Sequence, residues 1–500
     1  MLHRLRLLAC RLILPGLLLA ATMAAPCAAQ LTLVDDFVLD PAALLMPAGA
    51  TYGRAINGVS FQQEPLMTYG GFQYAAWYHL GPRDENVYLA RRDLSGGDWE
   101  VMQAGKAFIN GDAHDWNANN GISMGISGVG KIHLAWDHHG HTLRYMTTGA
   151  GAATGATWDS SIFGAERNSL NAGGSTISAV TYPRFVTDPN TGTMNLEYRI
   201  GSSGNGSSFL AAYDPGTGLW NSPRRYIDGT VSIFYDDPYG PSSNNRNAYL
   251  NGIDVDSSGR MHVTWTWREQ ATGSSNHDIM YAYSDDGGQN WHNNAGATIA
   301  TPTTDITSAS PGIVVVPMDR GNTLMNQQTQ AVDNDGRVHV VMWHKTDEAP
   351  PVTGFTTNNT AYYHYYRHPT TGDWTRTQLP TSRAVGLRPD MAYDEHGNIY
   401  VAYVTPTTGS PNNYYTNGDL IIAAASKAAG YEDWEIVYTD TRGWVTEPLI
   451  DQQRLLTGGK VSVFAQENSP LTSATGTPLH VLEFNKLANL VVWAGDHGAT

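Results

Sequence analysis

Residues 121–145 read GISMGISGVGKIHLAWDHHGHTLRY. An apolar run ends near Gly130, a glycine-rich turn follows, and a second apolar run, Lys131 to His138, ends in three histidines: His138, His139 and His141. β-Favouring residues on either side of a tight glycine turn predict an antiparallel hairpin. The hairpin pattern recurs and sets the fold. The histidine end has no packing purpose visible in the sequence and points to function.

Aligned on the turn glycine, GFQYAAWYH begins at Gly71, GKIHLAWDHH at Gly130, GTMNLEYR at Gly192 and GRMHVTWTWR at Gly259. GRVHVVMWHK, GNIYVAYV and GKVSVFAQ begin at Gly336, Gly397 and Gly459. Those seven copies are spaced 59, 62, 67, 77, 61 and 62 residues apart. Asp188, Asp256, Asp333 and Asp394 precede four of the glycines, as a tight turn prefers. Each of the first six copies continues to a second strand, a turn and a tryptophan: Trp99, Trp158, Trp220, Trp291, Trp374 and Trp434. In the fourth copy Ser284 to Trp291 fits S-x-D-x-G-x-x-W, the Asp-box turn. Repeats of this length with four short strands each are propeller blades. The expected fold is all-β, a seven-bladed β-propeller of four-stranded antiparallel blades. Either LTLVDDFVLD at the start or ANLVVWA at the end completes the last blade.

The first 29 residues differ from the rest. Arg4, Arg6 and Arg11 precede an apolar ILPGLLLAA, and Cys27-Ala28-Ala29 places small residues at a cleavage site. Residues 1–29 are expected to be a signal peptide, and 30–500 one propeller domain, secreted or periplasmic. Both cysteines, Cys10 and Cys27, lie in the leader, so the mature chain is expected to carry no disulfide and no Cys-ligated zinc. Removing the leader leaves 27 basic against 46 acidic residues, a net charge near −19. That balance argues against a general nucleic-acid binder. An anionic substrate then needs a locally basic cleft. No later apolar run reaches membrane-spanning length, so no membrane partner is expected; a monomer is.

Strand counting places the candidate residues. The inner strand of each blade precedes the turn glycine and the next follows it. Turns within these pairs share one face of the disc; the loops after the second strand share the other. His114, His138, His139, Tyr182 and Arg199 then fall on one face of blades 2 and 3, with Arg184, Arg268 and His344 on or near its rim. The Asp box falls opposite and reads as structural. His133, His262 and His339 share one repeat position and read as packed, hydrogen-bonded residues. The 137–141 cluster is open to three readings: solvated loop, metal site or catalytic group.

DAH at 112–114, GISMGI at 121–126, GKIHLAWDHH with LRY at 130–145, YPRF at 182–185 and YRIGSSGNG at 198–206 resemble the BNR-repeat propellers that include ulvan lyases and related rhamnosyl-glucuronate lyases. NGVSFQ at 57–62 and RRDLSGGDWE at 91–100 add to the match, which thins after about residue 300. The resemblance implies a secreted lyase that cleaves a uronate-containing, ulvan-like polysaccharide by β-elimination. It also implies a site of His114, His138, Tyr182 and Arg199. An ungapped alignment would put Asn119 in place of His114, and a one-residue slip would put His139 in place of His138; the intact DAH triplet favours His114.

The chemistry suits these groups. Removing the C5 proton of a uronate requires neutralisation of its carboxylate, which Arg199 can grip with two parallel bonds. Tyr182 is the candidate acid, and one tyrosine can serve both proton transfers; the histidines share neutralisation and base duty. His139, Arg184, Arg268, Arg246 and Tyr249 are candidate substrate-binding residues. No cofactor is required, and a structural calcium or zinc is left open. The rival readings are an α-rhamnosidase-type hydrolase and a non-catalytic carbohydrate-binding propeller.

Overall fold

A computed structural model of the chain describes residues 30–488 apart from 82–85, 108–115, 189, 232, 328, 355, 357, 381–386 and 407–417. The expected leader and His114 lie outside the described residues. Seven small antiparallel sheets form a seven-bladed propeller. Blade 1 runs outward through Leu66–Tyr69, Phe72–Tyr78, Val87–Asp93 and Glu100–Gln103. Blade 5 (Gln330–Val332, Val338–Lys345, Thr360–Arg367, Trp374–Gln378) and blade 6 (Asp390–Tyr393, Ile399–Pro406, Gly418–Ala425, Glu435–Trp444) repeat that order.

Blades 3 and 4 are the broadest. Their three inner strands are Val180–Thr187, Met194–Ser202 and Asn205–Asp214 in blade 3, and Asn247–Val255, Met261–Arg268 and Asn276–Ser284 in blade 4. In each, the outer position is split between short strands. Blade 2 departs from four strands: Ile122–Ile126, Ile132–Trp136 and Tyr145–Thr147 form its sheet, and isolated bridges from Thr148 to Phe163 and Tyr145 to Arg167 stand in the outer position.

Blade 7 answers the closure question. Leu449–Ile450, Lys460–Gln466 and Thr475–Asn485 are completed by the N-terminal Thr32–Leu45, which pairs from Thr32 with Asn485 to Leu45 with Thr475. Leu39, Leu44 and Leu45 are buried there. Asp40 accepts from Trp77 Nε1 at 2.6 Å and lies 2.8 Å from His79 Nδ1, which ties the closing strand to blade 1.

The turn glycines repeat for a backbone reason. Gly71, Gly130, Gly192, Gly259, Gly336, Gly397 and Gly459 all have positive φ, between 61° and 87°, which side chains with a Cβ rarely adopt. The preceding aspartates close the turns: Asp256, Asp333 and Asp394 each accept two backbone N–H groups through Oδ1. The seventh copy uses the same two residues differently. Asp451 caps a helix, Gln452–Gly458, and Gly459 is its left-handed C-cap.

The repeated histidines are packed as expected. His133 Nδ1 lies 2.6 Å from Tyr145 Oη, His262 Nδ1 2.8 Å from Tyr281 Oη, and His339 Nδ1 2.9 Å from His364 Nε2. In the Asp box, Ser284 Oγ donates to Asp286, and the buried Trp291 stacks on Tyr226. Arg260, in the first turn of that blade, pairs with Asp285 of the box at 2.6 Å, so the two turns share a face. Residues of all seven inner strands line one central cavity of about 410 Å³.

Candidate active site

A second cavity, about 280 Å³, opens where blades 2, 3 and 4 meet. Its lining includes His139, Tyr182, Arg199, Tyr249 and Arg268, together with Asn119, Asn326 and Arg388. Two of the left-handed residues in and beside it, Asp137 and Tyr182, set which side chains reach it. Asp137, at φ 65°, follows directly on the strand Ile132–Trp136 and breaks the side-chain alternation. The neighbouring His138 therefore turns inward. It is 1% exposed, and its Nε2 accepts the Arg144 backbone N–H at 2.8 Å. Burial, then His141 and Arg144, depress it to about 3. His139 instead starts a short strand, His139–His141, that pairs with Val180 and Thr181 of the next blade.

Tyr182 is the second left-handed residue, at φ 53°. A non-glycine residue held there stores about 1–3 kcal/mol of strain. The register shifts between Thr181 and Arg184, and this bulge sends the Tyr182 ring to the site and Arg184 into the central cavity. Arg184 lies 3.9 Å from Glu197, which burial raises to about 7. Arg184 was expected to bind substrate and does not line the site cavity. Neither does Arg246, whose Nε pairs with the buried Glu269 at 3.0 Å while Nη2 donates to Ile233 O. Tyr249 lies three positions further along the strand and faces the opposite way. His344 is also buried elsewhere, between Lys345 O and Tyr365 Oη.

The polar network has a readable direction. Asn119 donates to Asn117 Oδ1 through its backbone N and through Nδ2, at 3.0 and 2.7 Å. Asn117 Nδ2 therefore faces His139 Nδ1, 3.1 Å away, and donates to it. The proton of neutral His139 is thus on Nε2. Burial, then Arg199 and His141, lower His139 to about 4, so it is neutral at pH 7. With its Nδ2 committed, Asn119 turns Oδ1 to Tyr182 and accepts its hydroxyl at 2.8 Å. Phe61 stacks on the other side of the Tyr182 ring, centroids 5.1 Å apart.

Arg199 is 5% exposed, and its Nε and Nη1 have no hydrogen-bond partner among the described residues. Its guanidinium carbon lies 4.9 Å from the Tyr182 ring centre and 5.0 Å from that of Tyr249. Arg268 stacks on Tyr249 at 4.1 Å and donates to its hydroxyl at 3.1 Å. Neither arginine is paired with a carboxylate among the described residues, and none of the described lining residues is Asp or Glu. In a chain of net charge −16, this cavity is a local cationic receptor. Among the described residues no group of three or more His, Cys, Asp and Glu could hold a metal ion, and no helix is long and apolar enough to cross a membrane.

Of the expected residues, the structure brings together Tyr182, Arg199, His139, Tyr249 and Arg268. It keeps His138, Arg184 and Arg246 apart from them. Asn119, weighed as the alternative to His114, is in the cavity. Arg388 and Asn326 were missed; both lie where the resemblance is thin, and nothing in their local sequence marks them.

Comparison with known proteins agrees with this architecture. The chain is 22% identical over 407 residues to the long isoform of ulvan lyase from Pseudoalteromonas sp. (strain PLSV), covering 71% of this chain and 38% of that protein. It is 23% identical over 454 residues to the short isoform from Alteromonas sp. (strain LOR), covering 78% of this chain and 76% of the relative. The match thus spans well under half of the long isoform. Among solved structures, polysaccharide lyase Uly1 superposes with a TM-score of 0.65 at 18% identity, covering 91% of this chain and all of that one. A PL25 ulvan lyase bound to -[GlcA(1-4)Rha3S]- gives 0.63 at 14% identity, covering 90% and 99%. At these identities the superpositions speak for the fold. The sequence profile of the BNR repeat-containing family matches residues 72–382, more than half of the chain, and the chain therefore belongs to that family.

Proposed function

We propose that the protein is an exported polysaccharide lyase that cleaves a uronate-containing, ulvan-like polymer by β-elimination. The observation that carries this reading is Arg199: a buried guanidinium with two unpartnered N–H groups, in a cavity whose described lining holds no acid. An orphaned buried donor is costly unless a ligand completes it, and a sugar carboxylate offers two acceptor oxygens. With that carboxylate neutralised, the C5 proton becomes more acidic and the enolate-like intermediate is stabilised. His139 supports the same charge through its Nε2–H. The ulvan-lyase relatives, and the PL25 ulvan lyase bound to -[GlcA(1-4)Rha3S]-, favour glucuronate next to rhamnose as the substrate.

Most glycosidases use a pair of carboxyl groups flanking the bond. The absence of Asp and Glu from the described lining counts against that rival. The test is to incubate the protein with ulvan, with gum arabic and with carboxyl-reduced ulvan while following the ultraviolet absorbance of the unsaturated uronate. Absorbance is expected to rise with the uronate polymers and not with the reduced one. New reducing ends without absorbance would make it a hydrolase, and binding without cleavage would make it a lectin.

A further inference from the structure

The two proton transfers of an elimination call for a base and an acid, and the cavity holds two tyrosines in opposite settings. Resting on the lyase reading above, we propose that Tyr249 is the general base that takes the C5 proton and Tyr182 the general acid that protonates the leaving oxygen. The geometry supports one phenol for each proton. The Arg199 guanidinium carbon lies within 5.0 Å of both ring centres, which are 6.4 Å apart, so the three groups form a triangle. A uronate held by Arg199 therefore meets both phenols beside its carboxylate.

The hydroxyl surroundings divide the roles. Tyr182 donates to Asn119 Oδ1, which can only accept, and the Nδ2 bond to Asn117 holds the amide in that orientation. Burial, then Tyr249, raise the Tyr182 phenol against the pull of Arg199, so it keeps its proton. The Tyr249 hydroxyl instead accepts from Arg268 Nη1 at 3.1 Å and donates to Ser203 Oγ at 2.9 Å, a hydroxyl that can turn and donate to a phenolate. Arg268 is held in place by Asn276 and Asn326. Burial works to raise Tyr249, but Arg268, Arg199 and Ser203 outweigh it and bring the phenol to about 7. The other charged or titratable groups lining the cavity are Tyr182, neutral His139, Tyr52 and Arg388, so no acid opposes the phenolate among the described residues.

His139 does not compete for the base role. Its Nδ1 accepts from Asn117, and its Nε2 already carries hydrogen. The step balances without a co-reactant. The C5–H bond breaks and its proton goes to the Tyr249 phenolate. The electron pair forms the C4–C5 double bond, the C4–O bond breaks, and the leaving oxygen takes the Tyr182 proton. Solvent then returns one proton to Tyr182 and removes one from Tyr249.

The test pairs two variants with two substrates: a uronate polymer, and a uronate carrying fluoride at C4, which leaves without being protonated. Tyr249→Phe is expected to lose about 10²-fold or more in kcat on both. Tyr182→Phe is expected to lose as much on the polymer and to return to near wild-type turnover on the fluoride. In the wild type, kcat/KM is expected to rise about tenfold per pH unit below about 7 and level off above it, because the base must be ionised in the free enzyme. Arg268→Gln leaves Tyr249 in place and is expected to move that limb to higher pH, which a merely structural tyrosine would not do. Near-wild-type turnover in Tyr249→Phe, an equal loss on both substrates in Tyr182→Phe, or an unmoved limb in Arg268→Gln would overturn the division. A wild-type protein inert on every uronate would instead overturn the lyase reading.

Discussion

Arg199→Met is expected to lower kcat/KM on a uronate polymer by about 10³-fold or more. Met extends only to the Arg199 Nε position, so the apolar stem stays packed while the two-pronged cation disappears. No carboxylate pairs with Arg199 among the described residues, so the change strands no buried acid. The usual penalty of breaking a buried ion pair, about 3–5 kcal/mol, does not arise. Thermal unfolding is therefore expected to be no lower than in the wild type. Steady-state kinetics with a melting curve decide the matter: activity within tenfold of wild type would remove Arg199 from the chemistry, and a collapsed melting temperature would make it a structural residue.

Deleting residues 30–45 is expected to abolish folding of the ring. The strand Thr32–Leu45 is the outer strand of blade 7, and its loss exposes the edge of Thr475–Asn485. Leu39, Leu44 and Leu45 are at most 7% exposed, and burying each contributes about 1.5–3 kcal/mol. Their sum approaches the whole stability of an ordinary domain, about 5–15 kcal/mol. The deletion also removes Asp40, leaving Trp77 Nε1 without its acceptor. Soluble yield and circular dichroism check this: a truncated chain that is soluble and melts cooperatively near the wild-type temperature would contradict it.

The repeat was legible because its turn glycines answer a backbone demand that only glycine meets cheaply. The same letters hid one exception. Asp451 follows the inner strand as the turn aspartates do, but it lies eight residues before Gly459 instead of three or four, and the two begin and end a helix; an N-capping aspartate ahead of QQRLL was the available signal. Closure was not legible, because both termini carry apolar runs and only the register against Thr475–Asn485 separates them. In the site, residue types were legible and directions were not. Asp137 and Tyr182 are left-handed residues that are neither glycine nor asparagine, and each changes which neighbour faces the cavity. Counting strands therefore could not separate His138 from His139 or Arg184 from Tyr182, and the structure lines the cavity with His139 and Tyr182. Tyr249 and Arg268 were named by residue type, and the structure sets them diagonally across one strand pair of blade 4.

The short strand His139–His141 belongs to blade 2 by sequence and to blade 3 by hydrogen bonding. It works as a bolt across a seam, with Gly140 N donating to Thr181 Oγ1 at 2.8 Å beside the ladder. Relative breathing of the two blades then carries the imidazole along with the phenol and leaves their spacing intact. Heat inactivation should accordingly wait for cooperative melting of the disc, so that the temperatures of lost turnover and lost structure coincide.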